Sequence, residues 1–230
     1  MPTPQTRTLA MIHTVPGLIA TFEPLVRRAL PGWASFNMVD ESLLKATIRD
    51  GVLTPLTIRR LAGMVWSAVD GGADAVLVTC SSLGGAVDAL QAQCPVPLFR
   101  IDEGMAAEAV ASAHRIGVLA TLPTTLQPTT DLIRRVAART GRDCTITSQL
   151  ADGAFALLAE GDVAGHDALV AQALRDLAPQ VDAIVLAQAS MARVLPLVVA
   201  EIGALPLFTS PEPGITHLAA ALTTFYPQAS

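Results

Sequence analysis

The chain has 230 residues, a length that fits one large domain or two lobes of about a hundred residues each. Hydrophobic residues make up 51% and charged residues only 15%, the composition of a core-rich globular protein, which excludes disorder. The formal charge is −5 and the 15 basic residues never gather into a run; this excludes a nucleic-acid surface but not a small acidic ligand, which responds to local groups.

The stretch RTLAMIHTVPGLIATF, from Arg7, joins a basic residue to an apolar run. Its His, Pro and Gly do not suit a secretion signal. The same texture returns in HRIGVLATLPTTLQPT from His114, inside the chain. No uninterrupted run of about 18 strongly apolar residues occurs, so no membrane span is expected. Three widely spaced cysteines, Cys80, Cys94 and Cys144, fit a reducing compartment with no disulfide framework, and a cytoplasmic location is expected.

In chain order, short apolar runs predict strands over Thr8 to His13, Ser35 to Val39, Ala75 to Thr79, Leu98 to Ile101, Ile116 to Ala120, Thr145 to Ser148, Ala183 to Ala187 and Leu207 to Thr209. Helical stretches such as Pro55 to Val69 and Gly165 to Leu177 lie between them, with IDEGMAAEAVASA and PEPGITHLAAALTTF as crossing or closing helices. A long repeat runs through this pattern. Pro16 recurs as Pro123 and Arg27-Arg28 as Arg134-Arg135, both 107 residues on; Asp74 and Cys80 recur as Asp182 and Gln188, 108 residues on.

One strand alternating with one helix implies two similar α/β lobes, each a four-stranded parallel sheet covered by helices. We expect residues 1–98 with 208–230 to form the first lobe, carrying Cys80, and residues 99–207 the second, carrying Gln188, with the active site in the cleft between them.

Ligands of open parallel sheets collect at the carboxyl ends of the strands. Those ends are His13-Thr14, Asp40-Glu41, Cys80-Ser81-Ser82, Asp102-Glu103, Thr121 with Thr124-Thr125, Gln149, Gln188-Ala189-Ser190 and Ser210. This polar ring carries little net charge and suits a small carboxylate; no Walker A or GxGxxG phosphate loop follows any strand. Cys80 has the strongest intrinsic reactivity in it. At a helix N-terminus its thiolate is expected to be favoured, and Cys80 to be alkylated faster than Cys94 or Cys144, both read as structural.

His13 is an acid, base or carboxylate anchor, or a polar loop residue. His114, His166 and His217 are read as structural. The threonines are carboxylate donors or helix caps. Asp40 and Glu41 are read as caps, and Asp74 and Asp182 as turn residues.

On these motifs the chain resembles the aspartate/glutamate racemase superfamily, which includes hydantoin racemases, maleate isomerases and arylmalonate decarboxylases. VTCSSL occupies the first cysteine position. IVLAQASM resembles the second cysteine motif of hydantoin racemases with Gln188 where the cysteine stands, and GVLATLPTT resembles the Thr-rich anion loop of glutamate racemases. The resemblance implies chemistry α to a carboxylate without a metal or pyridoxal cofactor. One thiolate removes a proton, another thiol delivers one to the opposite face, and threonine and backbone donors stabilise the enediolate.

It implies Cys80 and Gln188 at the two catalytic positions, with His13, Thr14, Ser81, Ser82, Thr121, Thr124, Thr125, Ala189 and Ser190 binding substrate, and a homo-oligomer. A primary amide neither gives nor takes a proton readily. Arylmalonate decarboxylases work with one cysteine at the second position, whereas maleate isomerases use the first as a nucleophile. Three readings stay open: an isomerase, racemase or lyase using Cys80; a cysteine hydrolase using Cys80, His13 and Asp40; and a small-acid-binding protein.

Overall fold

The computed structural model describes residues 6–227, and the chain divides into two compact units. One runs to Ile101 and resumes at Gly214; the other spans Asp102–Pro213. The first unit holds β1 (Thr8–His13), α1 (Leu18–Ala29), β2 (Ala34–Val39), α2 (Glu41–Asp50), α3 (Pro55–Asp70), β3 (Ala75–Val78), α4 (Gly84–Leu90) and β4 (Leu98–Arg100). The second holds α5 (Glu103–Ser112), β5 (Arg115–Ala120), α6 (Pro123–Thr140), β6 (Thr145–Leu150), α7 (Ala154–Ala159), α8 (Val163–Leu177), β7 (Ala183–Leu186), α9 (Leu195–Ile202) and β8 (Leu207–Thr209), after which α10 (Pro211–Phe225) returns to the first.

Each unit has a four-stranded parallel sheet, ordered β2-β1-β3-β4 and β6-β5-β7-β8. In the second unit the two faces of the sheet separate by alternation along the strands. Ile116, Val118, Ala120, Ala183 and Val185 pack against α5 and α6, whereas Leu119, Ile184 and Leu186 pack against α8 and α9. In the first unit Leu9, Met11, Ala75 and Leu77 are covered by Phe22 and Val26 of α1 and by Ile215, Leu218 and Leu222 of α10. The helix that follows the last strand of each sheet thus packs in the core of the other unit.

The repeated aspartates mark how each sheet begins. Asp74 accepts the Thr8 N–H at 2.7 Å, and Asp182 accepts the Arg115 N–H at 2.9 Å. Each therefore ties the start of the third strand to the start of the first, at the amino edge. Both are turn residues, as the sequence predicts.

One feature differs from the simple alternation. Two helices, rather than one, join the second strand to the third in each half. Gly51, at φ 68° in the left-handed region, ends α2, and Thr54 caps α3 through the Thr57 N–H with Pro55 in its first turn. Gly161, at φ 88°, and the Asp162 cap do the same between α7 and α8. Among the described residues no helix is long and apolar enough to cross a membrane.

Candidate active site

Strand β3 is paired to β1 up to the carboxyl edge, where the Thr79 N–H bonds to the Ile12 carbonyl at 3.0 Å. Cys80 continues in extended conformation, and the chain then tightens into a one-turn 3₁₀ segment, Ser81–Leu83, leading into α4. Gly84 is required here because a Cβ would overlap the guanidinium of Arg100. That buried side chain comes up from β4 and pairs with Asp88 at 2.7 Å. Ser81 and Ser82 are buried beside the thiol.

Burial dominates the acidity of Cys80 and pushes its thiol above the ordinary value. The Thr14 hydroxyl, the Leu83 and Ser82 N–H groups and the Ser82 hydroxyl oppose that push by favouring the thiolate. The Thr14 hydroxyl is itself buried and has no partner apart from the sulfur. The expectation of a depressed thiol is corrected: the donors are present, but exclusion of water outweighs them, and the resting group is the thiol.

His13 also differs from the sequence reading. Its ring is fully buried, with Nδ1 at 2.8 Å from the Thr79 hydroxyl and Nε2 at 2.9 Å from Asn37 Oδ1. Asn37 donates through Nδ2 to Glu23 Oε1 at 2.8 Å, which fixes its amide with the oxygen toward the ring. Both ring nitrogens are therefore used within the protein, and neither is free to anchor a ligand. Burial lowers the pKa of His13 against the raising effects of Asn37 and Glu23. Asp40 accepts from the Ser42 N–H as the cap of α2 and pairs with Arg60 at 2.6 Å. A Cys80–His13–Asp40 triad is thus corrected: His13 bonds Thr79 and Asn37, and Asp40 bonds Ser42 and Arg60.

The second unit repeats this architecture with different side chains. The Ala187 N–H bonds to the Leu119 carbonyl at 2.9 Å, as Thr79 does to Ile12, and Gln188 then leads in extended conformation into a 3₁₀ segment, Ala189–Val194. Gln188 is the structural counterpart of Cys80, and Thr121, 107 residues after Thr14, that of Thr14. The counterparts touch: Gln188 Oε1 accepts the Thr121 N–H at 2.6 Å and the Thr121 hydroxyl at 3.0 Å.

No threonine side chain caps α6, whose cap residue is Leu122. Thr125 is buried in the first turn, and the buried Thr124 hydroxyl has no hydrogen-bond partner. Ala189 and Ser190 are half-buried in the turn after Gln188.

Four of the other polar residues have structural partners. Glu41 pairs with Lys45 and Glu103 with Arg139. His114 bonds to the Asp143 carbonyl, and His166 is buried on α8 beside Asp167. Among the described residues no group of three or more His, Cys, Asp or Glu is arranged to hold a metal. Sequence reasoning missed Asn37 and Thr79 as partners of His13, and Glu23 as the partner of Asn37. An Asn within a strand, where that residue is disfavoured, was the available signal.

Comparison with known proteins agrees with this fold. The Asp/Glu/Hydantoin racemase family model matches residues 18–217. Glutamate racemase from Bacillus anthracis superposes with a TM-score of 0.73 at 17% identity, covering 97% of this chain and 84% of that one. Allantoin racemase from Klebsiella pneumoniae gives 0.67 at 17% identity, with 97% and 90% covered. Arylmalonate decarboxylase gives 0.56 at 16% identity, with 97% and 95% covered. No curated protein matches the chain in sequence.

Proposed function

Because the chain belongs to the Asp/Glu/Hydantoin racemase family, we propose that it is a racemase/isomerase-family enzyme that moves protons on one face of the carbon α to a carboxylate of a small acid, with Cys80 as its single proton carrier. The observation that carries this reading is the asymmetry of the two equivalent strand ends. One bears a thiol ringed by Thr14, Ser82 and backbone donors, the other an amide bonded to Thr121. A thiol and thiolate can exchange a proton with carbon, while an amide can only hydrogen-bond.

In this reading Thr14, Ser81 and Ser82 surround the reacting carbon on the Cys80 side. In the second unit the buried Thr124 hydroxyl, without a partner, is available to an acceptor oxygen. The Cys80 thiolate takes the α proton, the electron pair passes into the carboxylate as an enediolate, and the resulting thiol returns a proton to the same face. Burial raises the proton affinity of the thiolate, and the four donors oppose that rise by favouring the ionised form.

A second reading is favoured by the resting thiol. A proton already on sulfur serves a decarboxylation: the bond from Cα to one carboxylate breaks, carbon dioxide leaves, the electron pair remains as an enediolate, and the Cys80 proton is delivered to Cα. Water then restores the thiol. Arylmalonate decarboxylase, which shares the fold, catalyses by its name a reaction of this type. The cysteine hydrolase alternative has lost its base, since His13 bonds Thr79 and Asn37.

The test uses small carboxylic acids and hydantoins in deuterium oxide, with native protein and Cys80→Ala. The account expects Cys80-dependent deuterium at the α carbon, from exchange or from decarboxylation. Equal incorporation by Cys80→Ala rules the reading out.

A further inference from the structure

The amide of Gln188 is held in one orientation. The Thr121 N–H can only donate, so the atom facing it at 2.6 Å is the carbonyl oxygen, and the Thr121 hydroxyl adds a second donor at 3.0 Å. The amide nitrogen is therefore turned the other way. It makes no hydrogen bond to the described residues, and the side chain is half-buried rather than spread into solvent. The donors that flank Thr121 are consequently closed by the chain itself, with an oxygen of Gln188 standing where an anionic oxygen could stand.

What remains open is an N–H₂ group, fixed in direction, in a half-buried position at the carboxyl end of the central strands of the second unit. Such a group recognises an acceptor oxygen and repels a donor such as an ammonium, because two donors cannot share a hydrogen bond. The buried Thr124 hydroxyl without a partner, on the first turn of the neighbouring helix α6, adds a second unfilled donor to the same unit.

We propose that Gln188 is a specificity-determining residue: latched by Thr121, it presents its amide N–H₂ to a ligand oxygen and selects acids bearing a second carboxylate or carbonyl over free α-amino acids. The proposal rests on the reading of the strand ends as a substrate site. It assigns the class of ligand as a small diacid, for which malonate is the probe.

Gln188→Glu separates the latch from the recognition it serves. A carboxylate oxygen still accepts both bonds from Thr121, but the outward N–H₂ becomes an acceptor. The measurement is malonate binding by calorimetry, with thermal unfolding of the ligand-free proteins as the fold control. Native protein is expected to bind malonate and Gln188→Glu to bind it about 10- to 100-fold more weakly, with ligand-free melting unchanged. Thr121→Val, which frees the amide to turn, is expected to give a smaller loss.

Equal malonate affinity in native protein and Gln188→Glu overturns the proposal, as does no malonate binding by native protein or tighter binding of alanine than of malonate. These outcomes are independent of the deuterium experiment. Loss of Cys80-dependent exchange removes the catalytic reading and leaves the binding result to stand, while unaltered binding in Gln188→Glu removes only the assignment of Gln188.

Discussion

A buried thiol has a distinct signature in solution. Cys80 is 9% exposed and its proton affinity is raised by burial, whereas Cys94 and Cys144 are partly exposed. Iodoacetamide is therefore expected to label Cys80 last of the three in ligand-free protein, the reverse of what its strand-end position alone implies; mass spectrometry of the labelled peptides checks the order. Thr14→Val removes one thiolate-favouring hydroxyl and is expected to move the alkaline onset of Cys80 labelling to higher pH.

His13 gives a second prediction at this scale. Its folded pKa lies below the 6.5 of an unperturbed histidine, so between those two values the unfolded chain binds a proton that the native ring refuses. The contribution of His13 to stability is thus fully present above about pH 6.5 and is lost as pH falls through that window. His13→Phe leaves Asn37 Oδ1 and Thr79 short of a partner and is expected to cost about 1–3 kcal/mol at pH 7.5. The gap from native protein should narrow toward pH 5. Urea unfolding at both pH values measures it.

Among the elements, the turn from β3 into α4 is fixed from below. Gly84→Ala drives a methyl into the Arg100 guanidinium and disturbs its pair with Asp88. A destabilisation of about 2 kcal/mol is expected, read from denaturant midpoints, together with reduced activity, because this turn carries Cys80.

The strands at the centre of each sheet were legible in the sequence, since β1, β3, β5 and β7 are apolar and buried on both faces. The doubled helices were harder to read. Helix α7 has only six residues, too few to show a 3.6-residue period. The break between α2 and α3 is written only in Gly51 and the Thr54-Pro55 cap. The position of Cys80 followed from the strand pattern, but its proton affinity did not. Burial depends on how Ser81–Leu83 fold over it, and that depends on the distant Arg100.

For the whole molecule, the 107- and 108-residue offsets map onto real equivalences: Thr14 with Thr121, Asp74 with Asp182, Cys80 with Gln188. Repetition made the architecture readable. The inward turn of the Gln188 amide toward Thr121 was not, because the choice between facing a ligand and facing its own loop is made by the backbone N–H of Thr121. Divergence at equivalent positions is what specialises the two halves. In the proposed function, the single thiol at one of these positions confines proton transfer to one face of a carbon.

One-sided proton transfer has a stereochemical readout. Optical rotation and solvent deuterium uptake are followed together on a resolved hydantoin or α-substituted acid, with native protein, Cys80→Ala and Gln188→Cys. Native protein is expected to incorporate deuterium with configuration retained, Cys80→Ala to incorporate none, and Gln188→Cys to gain racemisation. Two-sided racemisation by native protein that persists undiminished in Cys80→Ala would contradict this expectation.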